Sequence, residues 1–306
     1  FFFTPPPPPP PMLRSLVGSE MCIRDRPQGI PVPKSDGSTV PEGLDWDLWL
    51  GPAPKIDYTN AYHPFNWRGW WAYGTGALGD MGCHLIDVPF RTLGLHYPKA
   101  VECSVGQVFI KMWNPEYIPE GCPPSSSVTL DFSATNKNKT PLKMRWLDGG
   151  IRPPHPDLIP ANDSLGTPDS GNGVMMIGSK GIITTGVYGF TPKLYRKGEE
   201  VVEFDTSNQP GNEFGHQTKW VQACKAGFNS SEHKALTSSF DYSGPMTETV
   251  LMGNIAIRSY MEKKSGLSNS YPGRKKLLWD GDAMKITNYE DANKYVTRDY
   301  RKGWEI

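Results

Sequence analysis

The sequence of 306 residues lacks several features that would narrow its class. It has no apolar run approaching the ~20 residues of a membrane span. It also has no basic segment followed by a continuous apolar segment, which a secretory signal peptide would show. Lysine plus arginine and aspartate plus glutamate are balanced at 32 each, so the formal net charge is zero. A neutral chain has no general attraction for nucleic acid or an anionic membrane, and we expect neither as a partner.

Cysteine is also scarce, and its spacing carries little information. The five cysteines are Cys22, Cys83, Cys103, Cys122 and Cys224. No two of them stand at C-x-x-C spacing and their number is odd, so they suggest neither a disulfide framework nor a metal site. We expect reduced thiols and no bound metal, and the sequence does not decide between cytoplasm and periplasm.

Residues 1–26 have a composition unlike the rest of the chain. They begin with a polyproline run, and their end, SLVGSEMCIRDR, resembles a translated sequencing adapter. The alternative is a disordered proline-rich tail of the kind that binds SH3-type partners. Under either interpretation we expect this prefix to lie outside the fold.

Residues 27–75 predict an extended connector followed by a long ordered loop. The connector, PQGIPVPKSDGSTVPEG, is rich in proline and glycine. The loop, WDLWLGPAPKIDYTNAYHPFNWRGWW, is dense in tryptophan, and Pro52, Pro54 and Pro64 argue against a regular helix through it. We expect aromatic anchors to hold this loop, since ordered loops of such length are often functional.

Residues 76–306 predict one α+β domain. Apolar residues at helical spacing indicate a first helix over 76–94, which Pro89 should kink near Leu85. β-branched and aromatic runs separated by turns predict strands over 100–112, 127–134 and 142–147, and hairpins over 173–189 and 193–204. Helices over 213–226, 246–261 and 290–300 and a short strand over 277–279 complete the prediction. Because the strands are consecutive rather than alternating with helices, we expect an open-faced, mainly antiparallel sheet with helices on one face.

Three ionisable residues share one face of the first predicted helix. Asp80, His84 and Asp87 stand at positions i, i+4 and i+7. Histidine is the side chain best suited to exchange a proton near neutral pH. A carboxylate one turn away can fix its tautomer and stabilise the imidazolium. A buried structural Asp–His pair has the same spacing, so the pattern alone leaves both interpretations open.

Three sequence blocks are distinctive: PQGIPVP, WDLWLGPAP and GWWAYGTGALGDMGCHLIDVPF. They resemble the glucose–fructose oxidoreductase, inositol dehydrogenase and rhizopine-catabolism (Gfo/Idh/MocA) family, in the branch common in Bacteroidetes-type bacteria. The resemblance continues through 146–150, 177–181 and 240–245 to 300–304, and so covers the chain from Pro27 onward. With this resemblance, we expect Asp80 and His84 to be functional.

The resemblance implies an NAD- or NADP-dependent dehydrogenase of two domains. The first would be a Rossmann domain with a glycine-rich phosphate loop and a Glu-Lys-Pro motif that carries a catalytic lysine. The second would be an open-faced sheet that holds substrate and mediates homo-oligomers. This sequence has no G-x-G-x-x-G after a strand and no Glu-Lys-Pro. We therefore expect a C-terminal part, inactive alone, without the main cofactor-binding domain.

The reaction implied is hydride transfer between nicotinamide and a CHOH carbon of a sugar or polyol. His84 would exchange the hydroxyl proton and Asp80 would orient His84, with the missing lysine as the alternative base. Two other functions stay open at this point. One is an NAD-dependent glycosidase of the same superfamily, which departs from the usual scheme of two carboxylates, and the other is a non-catalytic sugar-binding module.

Further candidate residues lie in the tryptophan-rich loop and in a later helix. The residues expected to contact substrate are Asp87, Trp67, Arg68, His216 and Trp220. Those expected to contact the cofactor are Trp70, through its ring, and Gly79, which would let a bulky ligand approach the backbone. The alternatives are loop anchoring for the tryptophans, capping and packing for His216 and Trp220, and solvation for Arg68.

Overall fold

The computed structural model describes residues 14–18, 28–62, 65–167, 171–205, 215–264 and 270–305. The helices are α1 (Trp46–Leu50), α2 (Gly76–Thr92), α3 (Gly215–Ala226), α4 (Ser231–Lys234) and α5 (Phe240–Met261). Short 3-10 turns cover Asn66–Gly69, Val187–Gly189 and Glu290–Tyr295. Within the described ranges, no helix is both long enough and apolar enough to cross a membrane.

The strands form one sheet. They are β1 (Arg14–Gly18), β2 (Ala100–Val105), β3 (Ser126–Phe132), β4 (Leu142–Leu147), β5 (Gly173–Gly178), β6 (Gly181–Thr185), β7 (Lys193–Tyr195), β8 (Val202–Glu203), β9 (Leu277–Asp280) and β10 (Lys285–Ile286). Their order is β10-β9-β2-β3-β4-β1-β5-β6-β7-β8. All neighbours are antiparallel except β1 and β4. The predicted α+β class, with a mainly antiparallel sheet, is confirmed.

Strand β1 comes from the prefix that was expected to lie outside the fold. It lies between β4 and β5, parallel to the first and antiparallel to the second, with Arg14 opposite Lys143 and Ile177. No pattern of side chains predicted a strand here, because main-chain hydrogen bonds in a sheet do not depend on side-chain identity. The remaining residues of the prefix lie outside the described residues.

Helices α2 and α5 cover one face of the sheet and form the main core with it. In β3 the side chains of Val128, Leu130 and Phe132 are buried under these helices, while the residues between them are only partly buried. From α2, Leu78 and Leu85 enter the same core. Removing each such side chain from water contributes ~1.5–3 kcal/mol. This burial decides which face of α2 is left to point outward.

Two glycines form a close seam between α2 and α5. A Cβ atom at Gly253 would lie 2.3 Å from Leu78 Cδ2, and a Cβ atom at Gly82 would lie 3.1 Å from Val250 Cγ1. The first separation would force Leu78 to move within the packed core, and the second would require Val250 to shift slightly. The glycine seam of Gly82 and Gly253 therefore fixes α2 against α5.

The other face of the sheet differs between its two halves. Under β5, β6 and β7 a small second cluster packs around Met175, Ile182 and Tyr195. Beside β2, β3 and β4 the residues are polar and ion-paired. Lys276 Nζ lies 2.8 Å from Asp131 Oδ2, and this carboxylate raises the pKa of Lys276. This polar half is the open face that the sequence led us to expect.

An apolar arm, defined as residues 109–113, projects between β2 and β3. The sequence predicted that the first strand would reach residue 112, but β2 ends at Val105. The side chains of Phe109, Ile110, Met112 and Trp113 are 61–85% exposed. Trp113 has a φ angle of 68°, which an extended strand does not adopt. The β-branched and aromatic residues of the arm therefore produced a false strand prediction.

Two other element boundaries differ clearly from the prediction, and a third is not tested. Helix α5 starts at Phe240 rather than at residue 246, because Pro245 lies inside the helix and does not end it. The last predicted helix is a 3-10 turn that stops at Tyr295. Helix α3 starts at Gly215, and the first residues of the predicted helix, 213–214, lie outside the described residues.

The tryptophan-rich loop is held by aromatic anchors, as predicted, but it also contains α1. Trp46 and Trp49 stack with their ring centroids 4.5 Å apart. The Asp45 side chain caps α1 by accepting a hydrogen bond from the Leu48 N–H at 3.0 Å. We did not predict α1, because this short helix lies between prolines that argued against a regular helix through the segment. Pro64 lies outside the described residues.

The four cysteines that the structure describes, Cys83, Cys103, Cys122 and Cys224, are free thiols. Burial raises the pKa of Cys103 to about 12, so this thiol stays protonated. Cys22 lies outside the described residues. No group of three or more metal-ligating side chains occurs in the part of the chain that the structure describes.

Candidate functional site

The outward face of α2 carries Asp80, His84 and Asp87, which we call the α2 stripe. All three side chains are partly exposed, whereas Leu78 and Leu85 on the opposite face are buried in the core. The 3.6-residue period of a helix therefore brings these groups onto one surface, as the spacing predicted. Each of the three contacts a different neighbouring element.

Asp80 is ion-paired with Arg68 from the tryptophan-rich loop. The Arg68 Nε atom donates to Asp80 Oδ1 at 3.1 Å, and Nη1 donates to the Phe65 carbonyl at 3.0 Å. The guanidinium also lies over the rings of Phe65 and Trp67, at 4.2 and 4.5 Å from their centroids. Arg68 and Trp67 were predicted to contact substrate. The structure places them beside Asp80, where Arg68 holds the carboxylate at the rim of the stripe.

His84 lies against Tyr188, a contact that the sequence did not suggest. The two rings meet edge-on with centroids 5.0 Å apart. Tyr188 stands in the turn Val187–Gly189 with a φ angle of 60°, a conformation that is uncommon for a bulky residue and is found at ligand-binding sites. The next residue, Gly189, approaches Val88 on α2. The only sequence signal was the turn composition that follows a strand.

Asp87 is held by Tyr242 from α5. The Tyr242 hydroxyl donates a short hydrogen bond to Asp87 Oδ1, and Arg91 Nη2 lies 3.6 Å from the same oxygen. The Arg91 guanidinium also stacks on the Tyr242 ring at 4.1 Å. Burial, together with the adjacent carboxylate, raises the pKa of Tyr242. Asp87 therefore connects α2 to α5. A substrate that contacts Asp87, as predicted, would share the carboxylate with Tyr242 and Arg91.

The stripe can support proton exchange at His84. The imidazole is partly exposed, one helical turn from each of two carboxylates, and it is bordered by a phenol. A ligand hydroxyl that reaches His84 would therefore meet a group able to take or give its proton.

The two residues predicted to contact a cofactor are used for packing. Trp70 is fully buried, with its ring centroid 5.0 Å from that of Tyr62, and its Nε1 donates to the Ile30 and Pro31 carbonyls. Trp70 therefore anchors the loop, which was the predicted alternative to ligand contact for the loop tryptophans. A Cβ atom at Gly79 would lie 1.8 Å from Thr75 Oγ1, so the space beside this glycine is already filled. Trp70 therefore offers no free surface to a cofactor, whereas Gly79 is partly exposed and its contact with a cofactor stays a prediction.

The glycines at the start of α2 do not form a phosphate cradle. A Cβ atom at Gly74 would lie 2.5 Å from the Arg68 Cα atom, and one at Gly76 would lie 3.0 Å from Cys122 Sγ. Glycine is required at these positions because the chain itself packs there. These residues do not fit the pyrophosphate-binding loop of a dinucleotide site.

His216 and Trp220 lie apart from the α2 stripe. Both are exposed on α3, which packs against α4. Trp220 lines a cavity of about 390 Å³ together with Phe228 and His233. None of the residues that line this cavity comes from α2. A contact of His216 or Trp220 with substrate bound at His84 stays a prediction.

Comparison with known proteins identifies part of the chain. Residues 33–106 match a family model described as an oxidoreductase family, C-terminal alpha/beta domain. The match includes the tryptophan-rich loop, all of α2 with Asp80 and His84, and β2. No curated protein matches the chain significantly.

Proposed function

We propose that this chain, whose residues 33–106 match the model of an oxidoreductase C-terminal domain, is a Gfo/Idh/MocA-type protein and carries the substrate-facing side of an NAD(P)-dependent dehydrogenase. Its substrate would be a sugar or polyol that is oxidised at a CHOH carbon. The observation that supports this proposal is the α2 stripe. It presents a half-exposed histidine between two carboxylates, on the segment that matches the family.

In this proposal His84 takes the hydroxyl proton as the CHOH carbon becomes a carbonyl, and returns it in the reverse direction. Asp80, one helical turn from His84, is a positioning residue that orients the imidazole. Arg68 keeps Asp80 at the rim through its 3.1 Å contact. Tyr188 borders the same space from the turn after β6, and its exposed hydroxyl is suited to bind a second hydroxyl of a polyol. NAD(P), when bound, supplies the hydride acceptor.

The described residues do not provide the nucleotide-binding part of such an enzyme. The glycines around α2 are occupied by packing, and the sheet of the described residues is antiparallel rather than doubly wound. The chain would therefore contribute one wall of the nicotinamide site. A ligand held by one wall stays mostly in water, so we expect NAD and NADP to bind this chain with a Kd on the order of millimolar or weaker.

The proposal is tested in two steps. Isothermal titration of this chain with NAD and NADP should show no micromolar binding. Micromolar binding would contradict the proposal that the chain contributes only one wall of the nicotinamide site. The chain completed by a nucleotide-binding domain of the same family is then assayed with polyols. Net accumulation of NAD(P)H supports a dehydrogenase. A glycosidase that regenerates its nicotinamide would accumulate none.

We further propose that copies of this chain associate beside the open face of the sheet. The supporting observation is the apolar arm, because contiguous exposed apolar residues mark interaction sites on soluble proteins. Light scattering should show an oligomer whose mass falls when Ile110 and Met112 are both replaced by lysine. Leu48→Lys, at an exposed position on α1, is the matched control. A parent chain that is monomeric at high concentration contradicts the proposal.

A further inference from the structure

A second cavity lies on the side of α5 away from α2. Its volume is about 720 Å³, which is within the range of small-molecule sites. One wall is the α5 face that carries Glu248, Leu251 and Ile255. The opposite wall consists of Tyr97 and Trp279. The residues that α5 directs towards α2, such as Tyr242 and Gly253, do not line it.

Glu248 is the central polar group of this cavity. Its Oε1 atom accepts a hydrogen bond from Trp279 Nε1 at 2.5 Å, and Trp279 is itself almost fully buried. Burial raises the pKa of Glu248, because the carboxylate is partly removed from water. No ion pair among the described residues includes Glu248. The Trp279 hydrogen bond and the charge of His96, which also lines the cavity, act in the opposite direction to burial and lower the pKa. A partly desolvated carboxylate with a single hydrogen-bond donor is stabilised further by a cation.

The rest of the lining has the composition of a site for an organic cation. No lysine or arginine lines the cavity, while Asp241 adds a second carboxylate at its mouth. Aromatic faces come from Tyr97, Trp279 and the very exposed Phe240. Aromatic rings and carboxylates together attract ammonium groups and repel anions. Most of the remaining surface is aliphatic, so it offers few partners to a polyol with many hydroxyls.

We propose that this cavity binds a small organic ammonium ligand, with its charged nitrogen at Glu248 and its apolar body against Leu251 and Ile255. The site is separate from the α2 stripe and does not depend on the function proposed for that stripe. His96 also lines the cavity and lies beside Tyr97, with the ring centroids 4.2 Å apart.

Three probes of one shape test the charge requirement: 2-phenylethylammonium, 2-phenylethanol and 3-phenylpropanoate. Each is titrated into the whole chain at neutral pH, and the indole N–H resonance of Trp279 is followed by NMR. We expect the ammonium probe to bind with a Kd on the order of millimolar, as is usual for a ligand of so few atoms. The alcohol should bind at least ~10-fold more weakly and the carboxylate not at all. Equal binding of ammonium and alcohol, or no shift at Trp279, would overturn the proposal.

Two variants locate the binding site. Glu248→Gln keeps an oxygen to accept from Trp279 but removes the charge, so ammonium affinity should fall to that of the alcohol while alcohol affinity stays unchanged. Glu120→Gln, which removes an exposed carboxylate outside the cavity, should change neither. Leu251→Trp fills the cavity from a half-exposed position and should abolish the binding of both probes. Unchanged ammonium binding in Glu248→Gln would overturn the proposal.

Discussion

Asp148 and Asp80 are both carboxylates next to the core, but their surroundings differ. Asp148 is 4% exposed and accepts three hydrogen bonds: from the Ser126 N–H at 2.6 Å, from the Ser126 hydroxyl at 2.8 Å and from Trp146 Nε1 at 2.6 Å. Burial raises the pKa of Asp148 even so. The Asp80 side chain is 28% exposed and is held from one side by Arg68.

The difference separates a structural carboxylate from one that can serve chemistry. Around Asp148 every nearby donor belongs to the fold, and a ligand would have to break those bonds to reach it. Around the α2 stripe the carboxylates are held by neighbours from the loop and from α5, while the His84 ring between them stays accessible. Substitutions at these carboxylates and their neighbours test whether this separation is real.

The largest effect should come from His84→Ala in the enzyme completed by its nucleotide-binding domain. We expect turnover to fall by ~10²–10⁴-fold, because general acid–base assistance is lost. The free energy of unfolding should change by less than about 1 kcal/mol, since the ring is partly exposed. Steady-state rates and urea unfolding measure the two effects.

Two companions sharpen this result. Asp80→Asn should also lower turnover, because an amide can hold the histidine in the wrong tautomer. Cys83→Ala, an exposed truncation on the same helix, should leave turnover near that of the parent. Parent-like rates for both His84→Ala and Asp80→Asn would mean that the α2 stripe is structural, like Asp148.

Asp148→Ala should have the reverse profile, with the main loss in stability. The Ser126 N–H and Trp146 Nε1 would both be left buried without an acceptor, which costs ~1–3 kcal/mol for each group. We expect a total loss of about 3 kcal/mol in urea unfolding, and a smaller loss for Asp148→Asn, which keeps one oxygen. If Asp148→Ala left the free energy of unfolding unchanged, Asp148 would not be a structural carboxylate and the comparison with Asp80 would fail.

Tyr242→Phe tests the contact between α5 and the stripe, with a smaller expected effect. Removing the hydroxyl that donates to Asp87 should cost about 1 kcal/mol in stability, because Arg91 stays beside the carboxylate. The pKa of Tyr242 is raised in the folded state. Its contribution is therefore fully present below the unfolded pKa of ~10 and lost as the pH rises through the folded value. The difference in the free energy of unfolding between parent and variant should therefore be constant from pH 6 to pH 9. A difference that changes over this range would contradict the role given to the Tyr242 hydroxyl.

The smallest effect belongs to an exposed carboxylate, which extends the comparison to the surface. Asp47 Oδ1 lies 2.8 Å from Arg301 Nη1, and this hydrogen bond lowers the pKa of Asp47. The contribution is therefore present above the unfolded pKa of ~3.9 and lost as the pH falls through the lowered value. Asp47→Asn should destabilise the chain slightly at pH 7 and not at all at pH 2. Equal differences at both values would show that charge is not the cause.

Local patterns in the sequence predicted much of the fold. The apolar period of α2 and the Gly178–Gly181 hairpin appear in the structure where they were expected, because both depend on residues close together in the chain. The place of β1 in the sheet depends on pairing with strands more than a hundred residues away, and no local pattern specifies it. The apolar arm shows the opposite failure, since strand-forming residues occur there without strand partners.

The sequence likewise predicted one part of the site and not the rest. Helical spacing put Asp80, His84 and Asp87 on one face, and the structure agrees. Their partners could not be found from the sequence, because Tyr188 and Tyr242 reach the stripe from other parts of the fold. Residue type did not distinguish an anchoring tryptophan or a packing glycine from one that meets a ligand.

The glycine seam also affects how this protein can evolve. A larger side chain at Gly82 or Gly253 would have to displace Val250 or Leu78 in the packed core, so substitutions there disturb the contact between the two helices. The outward residues of α2 are free of that constraint, because their side chains point away from the seam. Selection can therefore exchange groups on the stripe to suit a new substrate while the helix axis keeps its place. A mutational scan should find intolerant positions at the seam next to tolerant ones a half-turn away.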